Sequence, residues 1–546
     1  MTRHYGLGRS VLPRVMHTLG FLRWQHVAST TAAAVTTVTS AAAAPAPLPM
    51  SSPPAPSSPG PAPLTHLLPQ SFHWLYQHCP AFPINGSKVR VIVDPREFYQ
   101  ELLDKARGAK ERISISSLYL GTGKLEEQLV AAVGERATAV EGLQVRWLLD
   151  HTRGSRGPHS SRSMLRPLLM QHPQSCSVSL YHTPTLRGLL RRLIPQRWNE
   201  TIGLQHMKLY VFDDSLVISG ANLSNDYFTN RQDRYMVFDN CPALAAFYHR
   251  LIETVSRHSL QLATDDSTSM GSHTTLHPYL SDFKKYCSAM RESVQQLWSD
   301  ECSKTPLRLG FDEENNISAR TQRRTLDSSA PPDTSLDTLV FPTVQMGPFG
   351  ITNDGYVTKR FLSTAEEGSR IHLASGYFNL TEEYMQCVLG ESQASYSILM
   401  AHPEANGFLG AGGFAGAIPA AYTHLARLFF GRVRAGGQEQ RLSLHEYRRQ
   451  GWTFHAKGLW YTHPGHLLPS LTMVGSPNFG WRSVQRDLES QVVVVTRNPA
   501  LRKALHEEHS RLYAQGTQVT DDTFTVPGRA VPLWVRCVMP IIKVFF

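Results

Sequence analysis

Two short stretches, 249 positions apart, hold the residues best suited to chemistry. His206-Met207-Lys208 lies in LQHMKLYVFDDSLVISGANLSND, and His455-Ala456-Lys457 lies in FHAKGLWYTHPGHLLPSLTMVGSPNFG. Each H-x-K leads to a small-residue turn ending in Asn: Gly220-Ala221-Asn222, then Gly475-Ser476-Pro477-Asn478. A carboxylate stands 11 residues beyond each Asn, at Asp233 and at Glu489. One H-x-K recurs by chance. Two with the same downstream residues indicate one active site built from two half-sites.

The stretch 206–220 alternates and is rich in Val, Ile, Leu, Tyr and Phe, which predicts a strand and its continuation. Residues i and i+2 of a strand share a face, so His206 and Lys208 aim at one point, as do His455 and Lys457. Two imidazoles and two ammonium groups around one cavity suit a phosphodiester. Lys208, Lys457, Asn222 and Asn478 would bind its nonbridging oxygens. A neutral His can attack phosphorus while a protonated one releases the leaving oxygen, since an unperturbed imidazole titrates near pH ~6.5. Covalent catalysis divides one hard displacement into two easier ones. Asp233 and Glu489 are candidates to fix the imidazole tautomers.

The surrounding elements repeat. Arg112-ISISSLYLGTG is echoed by Arg370-IHLASGYFNLT, Val145-RWLLD by Ser397-ILMAH, and Asp233-RYMVFDNCPAL by Glu489-SQVVVVTRNPAL. Asn240 and Asn498 read as helix N-caps, with Pro242 and Pro499 at or near the first helical position. The order of elements predicts an α/β fold: two tandem α/β domains, each a mixed sheet flanked by helices, with the active site at their interface. The boundaries read as 72–299 and 341–546, joined by a polar linker over 300–340. Strands are predicted at 89–93, 112–120 and 145–150, and helices at 95–110 and 125–140. The Gly-rich turn Gly121-Thr122-Gly123-Lys124 opens the second helix and is a candidate phosphate-holding N-terminus. It is not a Walker A loop, since Leu118 and Leu125 stand at positions that motif reserves for Gly and Ser/Thr.

The chain's 546 residues exceed what one core usually serves, and 41% apolar content is ordinary for a globular protein. A net charge of +10 favours anionic partners without choosing among them. Seven cysteines form no C-x-x-C pair, as expected of a reducing compartment. No apolar run is long enough to span a bilayer. The first acidic residue is Asp94; before it come Arg3, Arg9, Arg14 and Arg23 among apolar residues, then an Ala/Pro/Ser-rich stretch. Residues 1–71 therefore read as a mitochondrial transit peptide and a low-complexity linker. The basic amphipathic segment 187–198 and the apolar end 531–546 could lie on an anionic membrane surface, and the Gly-rich 406–416 could act as a lid.

His206, Lys208 and Asp213, followed by Gly220 and Asn222, match H-x-K-x4-D and its Asn turn, so the chain resembles the phospholipase D superfamily. The second copy departs from the pattern, with Thr462 in place of the motif Asp. The resemblance implies a phosphohistidine intermediate, with His206 as nucleophile, His455 as acid and base, and Asp213 as part of the catalytic set. It extends over 72–546 and implies phosphatidyl transfer from CDP-diacylglycerol to glycerol 3-phosphate, as in cardiolipin biosynthesis. The expected place is the mitochondrial inner membrane, peripheral and on the matrix side. No cofactor or metal is implied for the chemistry, with divalent cations expected at most to screen substrate charge. The alternative is a phosphodiesterase hydrolysing a lipid or nucleic acid. No basic stripe interleaved with aromatics is present, so no nucleic acid partner is expected. A catalytically dead lipid binder is a third reading, opposed by the intact His and Lys pairs.

Overall fold

Period-2 burial decides how the strands are used. In β6 (Leu209–Phe212), Leu209 and Val211 face one apolar cluster while Tyr210 and Phe212 face another. In β20 (Leu488–Thr496), Val492 and Val494 join the first cluster while Val493 and Val495 join a third. A strand that is apolar on both faces belongs in a sheet covered on both sides. The structure, a computed structural model, describes residues 67–304 and 336–543. The expected transit peptide and low-complexity stretch through residue 66, and the part of the expected linker over 305–335, lie outside the described residues.

Strand β1 (Phe82–Ile84) comes first, followed by β2 (Val89–Ile92), β3 (Arg112–Ser116), β4 (Gln144–Asp150) and β5 (Cys176–Tyr181). After β6 come β7 (Ser215–Ser219), β8 (Arg231–Gln232), β9 (Tyr235–Phe238), β10 (Leu260–Leu262) and β11 (Thr268–Met270). The second part of the chain gives β12 (Thr338–Met346), β13 (Ile351–Thr352), β14 (Arg370–Ser375), β15 (Ser395–Ala401) and β16 (Leu442–Tyr447). It continues with β17 (Thr453–Phe454), β18 (Lys457–Thr462), β19 (Leu471–Gly475), β20 and β21 (Gly516–Gln518). One sheet runs β2-β9-β7-β6-β3-β4-β5-β10-β11, and the other runs β1-β12-β20-β19-β18-β14-β15-β16-β21 with β13 beside β12. From β2 and from β12 onward the order is the same. So is the sense: only the steps β3–β4–β5 and β14–β15–β16 are parallel.

The helices that matter below are α1 (Pro95–Gly108), α2 (Lys124–Ala139), α3 (Gly188–Leu193) and α4 (Pro242–Arg257). After them come α5 (Phe283–Lys304), α6 (Ile418–Ala435), α7 (Pro499–Tyr513) and α8 (Leu533–Ile542). One cluster unites the facing sides of both sheets with α4 and α7, through Phe247, Leu251, Leu501 and Leu505. The outer face of the first sheet is covered by α1 and α2, through Phe98, Leu102, Leu129 and Val133. All described residues fall in one compact unit.

Several expectations change. Residues 67–84 do not join the first sheet: β1 pairs with β12, and Phe72, Trp74 and Leu75 pack with Phe361 on the second sheet. Helix α5 extends to Lys304 and β12 begins at Thr338, so both ends of the expected 300–340 linker are ordered elements. Cys241, not Asn240, holds the N-cap position of α4, while Asn240 takes a left-handed φ of 51°. Asn498 caps α7 as expected, accepting from the Leu501 N–H at 3.0 Å.

The stretch 206–220 is not one strand and its continuation but a hairpin, β6–β7, which turns at Asp213-Asp214. Asp213 therefore does not reach the H-x-K residues. It lies five residues beyond Lys208, roughly 16 Å along a strand. It adopts a left-handed φ of 49°, and its carboxylate accepts from the main-chain N–H groups of Lys110, Glu111 and Arg112 at 2.8, 2.8 and 3.0 Å. It anchors the entry to β3. Thr462, at the matching place, pairs across to Arg370, where β14 begins. Asp213→Ala should lower stability by about 1–2 kcal/mol, since water replaces the lost carboxylate at these partly exposed donors. Thermal unfolding should show a reduced midpoint, with turnover of the folded protein kept within about threefold.

Candidate active site

Main-chain bonds between the two halves place the histidines. The His206 N–H donates to Leu488 O at 2.8 Å, and the Leu488 N–H donates to Leu204 O at 2.8 Å. Reciprocally, β17 pairs in parallel with β8, and the His455 N–H donates to Gln232 O at 2.8 Å. Leu488 and Gln232 each directly precede one of the two carboxylates. The side chains consequently cross over. His206 Nδ1 lies 3.0 Å from both oxygens of Glu489, and His455 Nδ1 lies 2.6 Å from Asp233 Oδ2. Each imidazole is thus held at Nδ1 by the carboxylate of the opposite half, which leaves the chemistry to Nε2.

The lysines follow the same scheme. Lys208 Nζ donates to His206 O at 2.7 Å, and Lys457 Nζ donates to His455 O at 2.7 Å. Lys457 Nζ also lies 2.7 Å from His455 Nδ1 and 3.8 Å from Asp233 Oδ2. Gly220 has no side chain because there is no room for one: a Cβ there would stand 2.5 Å from Lys457 Cδ and 2.6 Å from Asp233 Oδ1. Asn222 Nδ2 donates to Tyr227 OH at 3.2 Å, and that hydroxyl lies 3.2 Å from His455 Nε2. The Asn222 and Asn478 amide oxygens are buried with no protein partner. An amide turned by 180° would present N–H donors to a bound anion instead.

Burial sets the electrostatics. It pulls His206 and His455 well below the ordinary imidazole value, with Lys208 and Lys457 next in effect. It pulls Lys208 well down and Lys457 to about 8, and pushes Asp233 up to about 6 and Glu489 upward. Every charged form is disfavoured in this dry space. A phosphate entering between the lysines supplies negative charge that favours their protonation.

Sequence reading missed several neighbours, which no motif marks. Ser483 Oγ donates to Glu489 Oε1 at 2.9 Å. Arg482 Nε donates to Asp487 Oδ2 at 2.8 Å, and Asp487 Oδ1 accepts from the Leu204 N–H at 2.9 Å. Fully buried Arg234, next to Asp233, makes a two-pronged pair with Glu508 of α7 at 2.8 and 2.9 Å. His206, Asp487 and Glu489 offer ligand atoms within 4.8 Å of one another, the spacing a metal ion would need. All three are already engaged, His206 with Glu489 and Asp487 with Arg482, and the surrounding side chains are cationic.

The turn Gly121-Thr122-Gly123-Lys124 is not organised as an anion cradle. The buried carboxylate of Glu126 fills it: a Cβ on Gly121 would lie 2.3 Å from Glu126 Oε1, and one on Gly123 would lie 2.8 Å from Oε2. Glu126 Oε1 also accepts from the Asn225 N–H at 2.6 Å, and Lys124 is exposed. An incoming phosphate would meet like charge.

No family model matches the chain. Among curated proteins it is 48% identical over 483 residues to the human mitochondrial CDP-diacylglycerol–glycerol-3-phosphate 3-phosphatidyltransferase, covering 87% of this chain and 86% of that one. It is 32% identical over 490 residues to the Schizosaccharomyces pombe CDP-diacylglycerol–glycerol-3-phosphate 3-phosphatidyltransferase, covering 85% and 95%. Among solved structures it resembles phosphatidylserine synthase of Haemophilus influenzae, with a TM-score of 0.64 and 17% identity over 87% of this chain and 99% of that one. That likeness concerns the fold.

Proposed function

Because the chain belongs to the family of CDP-diacylglycerol–glycerol-3-phosphate 3-phosphatidyltransferases, we propose that its crossed histidine site works through a phosphatidyl-histidine intermediate. The enzyme transfers the phosphatidyl group of CDP-diacylglycerol to glycerol 3-phosphate, giving phosphatidylglycerophosphate and CMP. The observation that carries the mechanism is the pair of imidazoles, each held at Nδ1 by the opposite half's carboxylate. Nε2 of neutral His206 attacks the phosphorus that bears diacylglycerol. The bond to the CMP oxygen breaks, and that oxygen takes the proton of His455. The acceptor hydroxyl then returns a proton to His455, and its oxygen attacks phosphorus as the bond to His206 breaks. Lys208, Lys457, Asn222 and Asn478 stabilise the charge on the phosphate oxygens, usually the largest catalytic term. Asp233 and Glu489 hold the imidazoles. The residues that perform these steps need no metal; divalent cations would act by screening substrate charge.

The location is mitochondrial, as in the mammalian relatives. Among the described residues no helix is long and apolar enough to cross a membrane. The finer reading is peripheral attachment on the matrix side of the inner membrane, feeding cardiolipin synthesis. The surface we assign to it precedes the His206 segment in the chain. Leu189 and Leu193 of α3 and nearby Leu280 are exposed, and Arg191 stacks on Tyr279 at 4.0 Å. On the other half, α8 exposes Leu533 and packs Val535 and Met539 against Ala421 of α6. Apolar side chains beside arginines suit an anionic bilayer.

His206→Ala should abolish turnover. After brief exposure to labelled CDP-diacylglycerol without acceptor, the acid-labile adduct should map to the His206 peptide. Label on the His455 peptide would reverse the assignment. CMP release that ignores glycerol 3-phosphate would make the enzyme a hydrolase.

The pH dependence follows from Lys457. Its value near 8 means the phosphate-binding cation is lost as pH rises through about 8 in the free enzyme. The kcat/KM for CDP-diacylglycerol should therefore fall above that pH. The kcat profile should hold to higher pH, because bound phosphate favours the protonated lysine. Mixed-micelle assays from pH 6 to 10 will check both limbs. For the membrane surface, Leu189→Glu with Leu193→Glu should weaken sedimentation with cardiolipin-containing vesicles at least about a hundredfold, each buried side chain contributing roughly 1.5–3 kcal/mol.

A further inference from the structure

The guanidinium groups around the site are not equally matched. Arg234 faces buried Glu508, and Arg482 faces buried Asp487. Arg231 has a side chain only 14% exposed, yet its carboxylate partner is Asp226, at 3.1 Å and 58% exposed. A largely covered cation whose one carboxylate partner stands out in solvent can take a second anion beside it.

The position of Arg231 says which anion. In the parallel pairing of β8 with β17, Arg231 stands opposite Thr453 and Gln232 opposite Phe454, which puts Asp233 beside His455. Arg231 and Asp233 share a face, two residues apart, roughly 6–7 Å along the strand. The guanidinium carbon lies 4.6 Å from the centre of the Tyr227 ring, whose hydroxyl meets His455 Nε2. The Tyr377 ring stands edge-on to His455 at 5.4 Å. A Cβ placed on Gly407 would lie 3.1 Å from Tyr377 OH and 3.2 Å from Arg231 Nη2. Both polar groups therefore meet beneath that Gly-rich loop. Thr453 Oγ1 takes the Arg231 Nε donor at 2.9 Å, Asp226 takes one at Nη2 and Tyr227 takes another, out of five donors on the group.

We propose that Arg231 and the Tyr377 hydroxyl, beneath the loop at Gly407, form a phosphomonoester subsite on the His455 side that holds the phosphate of the incoming glycerol 3-phosphate. This rests on the transferase reading above. The acceptor's far hydroxyl must reach His455 Nε2 while its phosphate sits a three-carbon span away, comparable to the strand interval between Asp233 and Arg231. The departing CMP carries a phosphomonoester too, and the test separates the two sources.

Steady-state kinetics of Arg231→Ala and Arg231→Lys should be compared with the unmodified enzyme. Both substrates are varied, glycerol serves as an acceptor without phosphate, and CMP serves as product inhibitor. Arg231→Ala should raise the KM for glycerol 3-phosphate ~10–100-fold, the size expected for a lost charge-assisted contact. The KM for CDP-diacylglycerol and the turnover with glycerol should stay within about threefold, so preference for the phosphorylated acceptor collapses. Arg231→Lys should recover part of that preference. An unchanged KM for glycerol 3-phosphate, or an equal loss with both acceptors, would overturn the proposal. A rise confined to the CMP inhibition constant would assign the subsite to the nucleotide and overturn the acceptor role. If the unmodified enzyme fails to use glycerol 3-phosphate, the transferase reading falls and the subsite with it, a result visible before any variant is made.

Discussion

The site depends on an exchange of main-chain hydrogen bonds between the two halves of the chain. Leu204 and His206 bond to Leu488, and His455 bonds to Gln232. Each exchanged partner is followed at once by a carboxylate, so a two-residue pairing delivers Glu489 to His206 and Asp233 to His455. Neither half contains a complete imidazole–carboxylate pair. The shared apolar cluster between the sheets is the physical consequence: the halves must be held in fixed register for the exchange to persist. Leu209 and Val211 packing in one cluster with Val492 and Val494 supplies that register. Rotation or slip of one sheet against the other would break both pairs together.

Holding six ionisable groups in this space is costly, and the structure spreads the cost. Isolated charges are expensive to bury, but paired and hydrogen-bonded ones are tolerable. Glu489 accepts from Ser483 as well as facing His206, and Asp233 Oδ1 accepts from the Arg234 N–H at 2.8 Å. Arg234 extends the network to Glu508, which also accepts from the Trp460 indole N–H at 2.8 Å. These bonds cross from the first half to α7 and β18 of the second. The groups that keep Asp233 in place therefore also tie the halves together, so catalytic geometry and the inter-half contact are not separable properties.

The sequence disclosed the parts more readily than their connections. The His, Lys and Asn spacings and the carboxylates beyond them were visible because they are local and occur twice, and the apolar pattern exposed β2, β3 and β4. The crossing was not visible, since pairing between residues about 280 positions apart leaves no local pattern. Asp213 was misplaced because a motif records that a residue recurs, not where it points; a hairpin at Asp213-Asp214 carries its carboxylate to the far end of β6. The Gly121–Lys124 turn looked suited to phosphate because glycines there signal close approach. What approaches is Glu126, from within the same helix. Residues 67–84 precede the first sheet in sequence yet complete the second, a long-range choice that composition does not encode.

The two histidines are not in equivalent surroundings, and the difference bears on how water is kept from the covalent intermediate. Asp487 lies near His206 and favours its charged form, although burial and Lys208 outweigh it. His455 is instead held down, after burial, by Lys457, Arg231, Lys208 and His206, all cationic or potentially so. Asp233 at Nδ1 offsets these cations only in part, so the free base accepts a proton reluctantly and a bound substrate phosphate favours its charged form. Water entering the acceptor position brings no charge and leaves the base weak. An acceptor that carries a phosphate offsets the cations around His455 and strengthens the base as its own hydroxyl arrives. On this argument, choice of acceptor and activation of acceptor are one electrostatic event. Arg231 is one contributor among several to that positive surround, and it is also where the acceptor's anion binds.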